Sequence, residues 1–539
     1  MEAKLGRPAK AADPARAGAD ALVGWLARTH RYNASDAESA TAATFAARMT
    51  AAGAPRSIGP AMISRLERGT ASWQAQHLAS YERALGLPGG RLAGPAQKVL
   101  RAHGDRGDDR SWLRSAAAAE QRAADIIDGV LAADTVTAAD WDLLSAHLLA
   151  TGRRLGRRTW GALVERLMLE ICAAQGIDQE LRAEALLRIG RAEIAVGLAG
   201  EVAIGAMTQR GNPASFQPLK IYQRAPSRAP AAWVVRALLD PPDRWLLREL
   251  FTTVAALVDA GSWRPSAQQL NTLRRECQET INDAQVELEV RRAAVQLSRR
   301  LHPAPHLGLH GEVGPDLVYL AKPARMDPQT SRYQAACLRL AAEIQGIGLV
   351  WQAKWEQGED SLLGHILVQS LLGHDDTTRS VYTTLLVNSG YRDALRHTLA
   401  RWLHQGADHQ DPGLLRAVIR LFGKVAEGRE DGWTLLNMIG ADRIETDTRV
   451  QACWALANAA PRMPPDVPDT MLEFCRGRSF GAQATTALRS AVAACGRRDR
   501  RDVLRLLAED RDQALAVRDE CRWWNALPGY VRQSVSLAG

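Results

Sequence analysis

The amino-acid sequence predicts an all-α protein, in which a small helical module at the N-terminus precedes a long, irregular α-solenoid of HEAT- or TPR-like helical hairpins. Three observations lead there. Nearly every segment carries apolar residues at helical spacing, and no convincing pair of strands competes with that pattern. Turn and capping residues bound helices of about 12 to 18 residues that follow one another with short turns. Helix starts near residues 376, 411 and 447 recur about every 35 residues, the length of two helices and their turns.

Residues 1–19 read as a flexible basic arm with Lys4, Arg7 and Lys10 and without the apolar core of a signal peptide. A first helix follows over 20–32 (DALVGWLARTHRY), burying Leu22, Trp25 and Leu26. A second, in TAATFAARMTAAG (41–53), buries Phe45 and Met49 and stops at Gly53. Pro60 suits the first position of a third helix, with Ile63 and Leu66 inward, Ser64, Arg65 and Arg68 outward, and Gly69 at its end. A fourth, QAQHLASYERALGL (74–87), repeats the stripe with Leu78, Tyr81 and Leu85. These helices make a module over 20–95, closed by the Pro/Gly-rich LGLPGGRLAGP (85–95) and the polar HGDRGDDRS (103–111).

The remainder divides into repeat regions over 110–300 and 318–539, separated by the Pro-rich LHPAPHLGLHGEVGPDL (301–317); two compact helical domains are the alternative. Within it, Asp411 and Pro412 cap and open a helix with a Leu414, Leu415, Val418, Ile419 and Phe422 stripe, which Gly428 is expected to end. Another starts at Thr446 or Asp447 and carries Val450, Cys453, Trp454 and Leu456 inward. Most of the 15 Trp residues follow such stripes, whereas Trp523 and Trp524 suggest an exposed partner contact.

The net charge of +8 says less than its distribution. Only 7 of the 68 basic residues are Lys, an Arg bias that a GC-rich bacterial genome produces unaided. Residues 1–100, however, hold 13 Lys and Arg against 7 Asp and Glu, the pattern of a nucleic-acid module carried by an otherwise balanced chain. Seven widely spaced cysteines without a CxxC pair read as reduced core thiols. No apolar run approaches the length of roughly 20 residues that spans a bilayer, so the expected location is the cytoplasm, in association with the nucleoid.

Within the basic module, ISRLERG (63–69), followed by a turn and LASYERALGLPGG, resembles the Cro/CI (Xre-like) helix-turn-helix family. There a Ser-Arg-x-Glu-x-Gly run closes the recognition helix and a Leu-rich fourth helix packs behind it. The resemblance covers about 50 to 70 residues and implies a DNA-reading third helix. The connections at 33–40 and 54–59 are longer than usual in that family. The front of the helix carries Pro60, Ala61 and Met62 where the family often has Gln, Ser or Thr. Ala61 and Met62 can touch a thymine methyl, and base readout then rests on Arg56, Ser57, Ser64 and Arg65. Arg68 and Thr70 complete the expected contact surface, largely toward phosphates. KLGRPAK (4–10) resembles an AT-hook core, with Arg7 directed to a minor groove and Leu5 where a first Arg is usual.

Catalytic signatures are missing: there is no GxxxxGK[ST], HExxH, GxSxG, or HxE with PCxxC. His302, His306 and His310 recur every four residues, but Pro303 and Pro305 break the helix that would align them. His397, His404 and His409 are ordinary surface or core histidines. The sequence therefore points to a non-enzymatic, sequence-specific transcriptional regulator without cofactor or metal. It would bind double-stranded DNA as a homodimer, with a peptide, small-molecule or protein effector on its helical domain and no membrane partner. The alternative is a helical-repeat interaction scaffold of a defence or plasmid-maintenance system, whose DNA binding is nonspecific or vestigial.

Overall fold

A computed structural model describes residues 17–34, 39, 41–54, 58–103, 120–190, 193–214, 217–219, 228–241, 246–259, 261, 263–283, 286, 288–301, 328–347, 360–373, 376–406, 411–477 and 479–536. Among them regular structure is all helical. The chain forms two compact units: Met1–Arg153 with Ala173–Ala185 and Gln329–Gly539, and Arg154–Cys172 with Leu186–Pro328.

The second unit contains, among others, α11 (Arg228–Leu239), α12 (Leu247–Asp259), α13 (Ala267–Asn282) and α14 (Leu288–Leu301). Ser266 caps α13 by accepting the Gln269 amide, and the Gln269 side chain returns to the Ser266 amide, so two otherwise unpaired donors are satisfied. Leu250, Phe251, Val254, Leu273, Cys277, Ile281, Ala294 and Leu297 interlock in its core.

The first unit begins with α1 (Ala19–Asn33), α2 (Ala42–Ala51), α3 (Pro60–Glu67), α4 (Ala75–Leu85) and α5 (Ala93–Ala102), followed along the chain by α6 (Glu120–Leu131), α7 (Ala138–Thr151), α8 (Arg157–Ala173), α9 (Gly176–Ile189) and α10 (Glu193–Thr208). Leu22, Trp25, Leu26, Phe45, Met49, Ile63, Leu66, Leu78 and Tyr81 are buried, as their spacing predicts. Leu85 is only half-buried, because the chain turns away at Gly86, which adopts the left-handed conformation that closes α4.

In the same unit the chain continues through α15 (Pro328–Ile347), α16 (Ser361–Leu372), α17 (Asp376–Val387), α18 (Arg392–Gly406), α19 (Pro412–Val425) and α20 (Gly428–Gly440). It ends with α21 (Thr446–Ala459), α22 (Asp466–Gly477), α23 (Ala484–Arg497), α24 (Arg501–Glu509), α25 (Leu515–Ala526) and α26 (Gly529–Ser536). From α19 onward there is a regular neighbour rule. α19 packs on α21, α21 on α23 and α23 on α25, while alongside α18 packs on α20 and α20 on α22.

Asp411 caps α19 by accepting the Gly413 and Leu414 amides at 2.8 and 3.4 Å, and the predicted apolar stripe of α19 is buried. Gly428 does not end that helix. The Ala426 amide closes α19 on the Phe422 carbonyl, and the Asp431 carboxylate accepts the Glu427 amide, so Gly428 already opens α20. Val450, Cys453 and Leu456 are buried in α21, with Trp454 half-buried.

The expectation of an exposed Trp523–Trp524 pair is overturned, since each is 4% exposed. Trp524 lies flat against Gly496 of α23, where a Cβ would come within 2.1 Å of the indole. The missing side chain makes the slot. All seven cysteines are free and buried. Burial pushes the thiols of Cys172, Cys277, Cys337, Cys495 and Cys521 up to about 12, which suits core packing rather than nucleophilic chemistry.

Candidate nucleic-acid interface

The candidate surface is built on a rigid crossing of α1 and α3. Gly24 sits where a Cβ would come within 2.5 Å of the Leu66 carbonyl oxygen. At Gly69, in a left-handed turn at φ 67°, a Cβ would meet the Ala21 backbone even more closely, at 2.4 Å. The two glycines let the α1 backbone touch the end of α3, so the orientation of α3 is fixed by backbone contact rather than by adjustable side chains.

Polar locks hold the same crossing. Arg31 of α1 forks onto Glu67 of α3, Nε to Oε1 at 2.6 Å and Nη2 to Oε2 at 2.7 Å, with both side chains almost wholly buried. The third arm of Arg31 donates to the Ser39 carbonyl, and the Tyr81 hydroxyl donates to Glu67 Oε1. Burial opposes the Arg31 charge, but the Glu67 carboxylate more than offsets it, so the guanidinium holds its proton more tightly than usual. Burial first, and then the Glu67 charge, raise the Tyr81 phenol well above its ordinary range. Phe45 and Trp73 meet the Tyr81 ring edge-on, and the Trp73 indole donates to the Leu66 carbonyl at the end of α3. Asp20 accepts from Ser72 and from the Trp73 amide, which pins the turn after α3 back onto α1.

With its inner face committed, α3 presents the opposite face to solvent. Ala61, Arg65, Arg68 and Thr70 are exposed, and Met62 and Ser64 are half-buried. Arg65 lies along its own helix, with Nη2 3.6 Å from the Met62 sulfur; Arg68 donates to the Ser64 carbonyl and Thr70 to the Arg65 carbonyl. Neither arginine has a carboxylate within ion-pair distance among the described residues. Six of the predicted site residues thus share one outward surface. Arg56, Ser57 and Arg7 lie outside the described residues.

Sequence reasoning missed Glu67 and Arg31. The signal was present: Glu67 falls on the buried stripe with Ile63 and Leu66, and an acid on an apolar stripe calls for a buried cation. It also missed Arg83, which reaches from α4 to the Ala52 carbonyl and braces the end of α2.

The module is anchored as well as shaped. The Trp25 indole donates to Asp360 at 3.0 Å and stacks near Tyr391, whose hydroxyl also faces Asp360. Thr29 accepts the Gly390 amide, and His30 Nε2 meets the Asn388 carbonyl at 2.5 Å. Burial lowers the His30 imidazole to about 4, with nearby Arg91 acting in the same direction, so it is neutral here. From α5, Lys98 is buried against Glu180, Ser380 and Thr384. Glu82 receives the amides of Gly90, Leu92 and Ala93 at the start of α5. Burial raises the Glu82 carboxyl while those three amides oppose the rise.

His397 rests on the Asp393 carbonyl and His404 on Thr434, while His302, His306, His310 and His409 lie outside the described residues. Among the described residues no helix is long and apolar enough to cross a membrane. No protein-family profile, curated protein or solved structure matches the chain.

Proposed function

We propose that this chain is a DNA-binding transcriptional regulator. Its α1–α4 act as an Xre-like helix-turn-helix with α3 as the recognition helix, and α16–α26 act as an irregular α-solenoid. The observation that carries the reading is the outward face of α3, where Arg65 and Arg68 have no carboxylate within ion-pair distance among the described residues, on a helix whose inner face is locked to α1. Uncompensated arginines on a rigid element suit phosphate and guanine contacts, which need preset geometry. The mass of helix behind the module, and the direct seating of α1 on the 388–391 turn, give a route by which an effector or a second subunit would bias the position of α3. A homodimer on a two-fold symmetric site is the expected assembly, because one such module makes few base contacts. In this reading the chain needs no cofactor and works in the cytoplasm, at the nucleoid.

One observation favours the alternative of an interaction scaffold with nonspecific DNA contact. The front of α3 is Pro60, Ala61 and Met62, and Arg65 leans on the Met62 sulfur, so few hydrogen-bonding groups face forward. Selection of bound duplexes from a random pool at fixed salt separates the two. The regulator reading expects enrichment of an inverted repeat; the scaffold reading expects salt-dependent retention with no enriched sequence.

A further inference from the structure

At the turns that join α21, α23 and α25 to the elements after them lies a cleft, about 50 Å³ in volume, lined among others by Arg462, Arg497, Arg532, Asp499 and Trp524. A water needs roughly 10–15 Å³ by the same measure, so the space suits a handful of waters or one small oxyanion and is far too small for a nucleotide. Its lining is strongly one-signed. Arg462 gives Nε and Nη2 to the Ala426 and Gly423 carbonyls, and Arg497 gives Nη1 to the Ala457 carbonyl. Neither has a carboxylate within ion-pair distance among the described residues, and Arg497 Nε is enclosed without an acceptor. The buried Glu520 nearby is already held by Arg489 at 2.7 Å. Asp499 is the acid in the lining. It is shared between Arg532 and Arg501 and sits at φ 52°, a left-handed conformation uncommon for a residue with a side chain.

Burial pushes Arg462 and Arg497 down to about 10, with the neighbouring Arg392 adding to the effect on Arg462. Both remain charged at neutral pH. The Glu427 and Asp431 charges on the one, and the Glu520 charge on the other, oppose that fall in part.

We propose that this cleft binds a small oxyanion, the phosphate or carboxylate group of a small metabolite, held by the Arg462, Arg497 and Arg532 guanidinium groups. Such a ligand would accept from the Arg462, Arg497 and Arg532 guanidinium groups and tie together three successive interhelix turns, those after α21, α23 and α25. The site stands whether or not α3 reads DNA.

The test uses the full-length protein without DNA, titrated by calorimetry and thermal unfolding with inorganic phosphate and with acetate, against sodium chloride at matched ionic strength. The expected result is a saturable rise in Tm and a measurable heat with phosphate or acetate but not chloride, and the stronger of the two identifies the headgroup. Arg532→Gln, a change in a half-buried side chain, should weaken binding about tenfold, and Arg462→Gln should do the same. A response equal to that of chloride, or one that survives unchanged in Arg532→Gln, would overturn the proposal. If Arg462→Gln unfolds, Arg462→Lys keeps the charge without the fork and should still bind more weakly than the wild type.

Discussion

Arg31 and Glu67 form a buried, bidentate ion pair that joins the first helix of the N-terminal module to the end of its third, with Tyr81 as a further donor to the carboxylate. Removing one partner leaves the other charged in a dry site. Glu67→Gln or Arg31→Met alone is expected to cost about 3–5 kcal/mol in urea unfolding, whereas the double change Arg31→Met with Glu67→Leu should recover most of it. Equal destabilisation by the single and double variants would show that shape, not charge pairing, holds the crossing.

The close approach of α1 and α3 makes a second, purely steric prediction. Gly24→Ala places a methyl 2.5 Å from the Leu66 carbonyl oxygen, and neither backbone can yield without moving α3. A loss of about 1–3 kcal/mol or more is expected from overpacking. Gly59→Ala, where nothing lies within 4 Å, is the steric control; as the N-cap of α3 it should cost only the lost cap preference, about 0.5–1 kcal/mol.

His30 links stability to pH. Its folded value of about 4 lies below the ordinary 6.5, so the unfolded chain takes up the proton first. The stabilisation is complete above pH 6.5, declines as pH falls from there toward 4, and amounts to at most about 3 kcal/mol. A His30→Gln variant should show a flatter pH profile across that window, measured by denaturant midpoints. An unchanged profile would assign the acid sensitivity to other groups.

Asp360 is the polar hub of the seating of α1, accepting from Trp25 and Tyr391 and capping α16 through the Leu363 amide. Asp360→Ala should destabilise by about 2–4 kcal/mol, because two buried donors and a cap are lost together. It should also raise hydrogen exchange in α1 more than in α21–α23, and uniform exchange would contradict the hub role.

How much of this was legible in the sequence depends on the range of the interaction. Local chemistry was readable. Pro60 does open α3, Gly69 does take the left-handed turn after it, and Asp411 with Pro412 does start α19. These outcomes depend on a few neighbouring residues, and periodicity alone marked Ile63, Leu66, Phe45 and Tyr81 for burial. What periodicity cannot say is which stripe meets which. The Trp25–Asp360 bond joins residues 335 positions apart, and nothing in either segment names the other. Trp524 looked available because its slot is made by a distant glycine, Gly496. Gly428 looked like a stop because a glycine after an apolar stripe usually is one, but here Asp431 supplies the boundary from the following helix.

The central claim is that the outward face of α3 contacts DNA, and the most direct test is a salt titration of binding to the duplex enriched from a random pool, comparing wild type with the Arg65→Ala, Arg68→Ala double variant. Both side chains are exposed and bond only within their own helix among the described residues, Arg68 to the Ser64 carbonyl and Arg65 to the Met62 sulfur, so the variant should fold with a nearly unchanged Tm. In the double variant specific affinity should be lost, and the slope of log affinity against log salt should fall by about one per phosphate contact removed. Unchanged affinity and unchanged slope in a folded variant would contradict the claim.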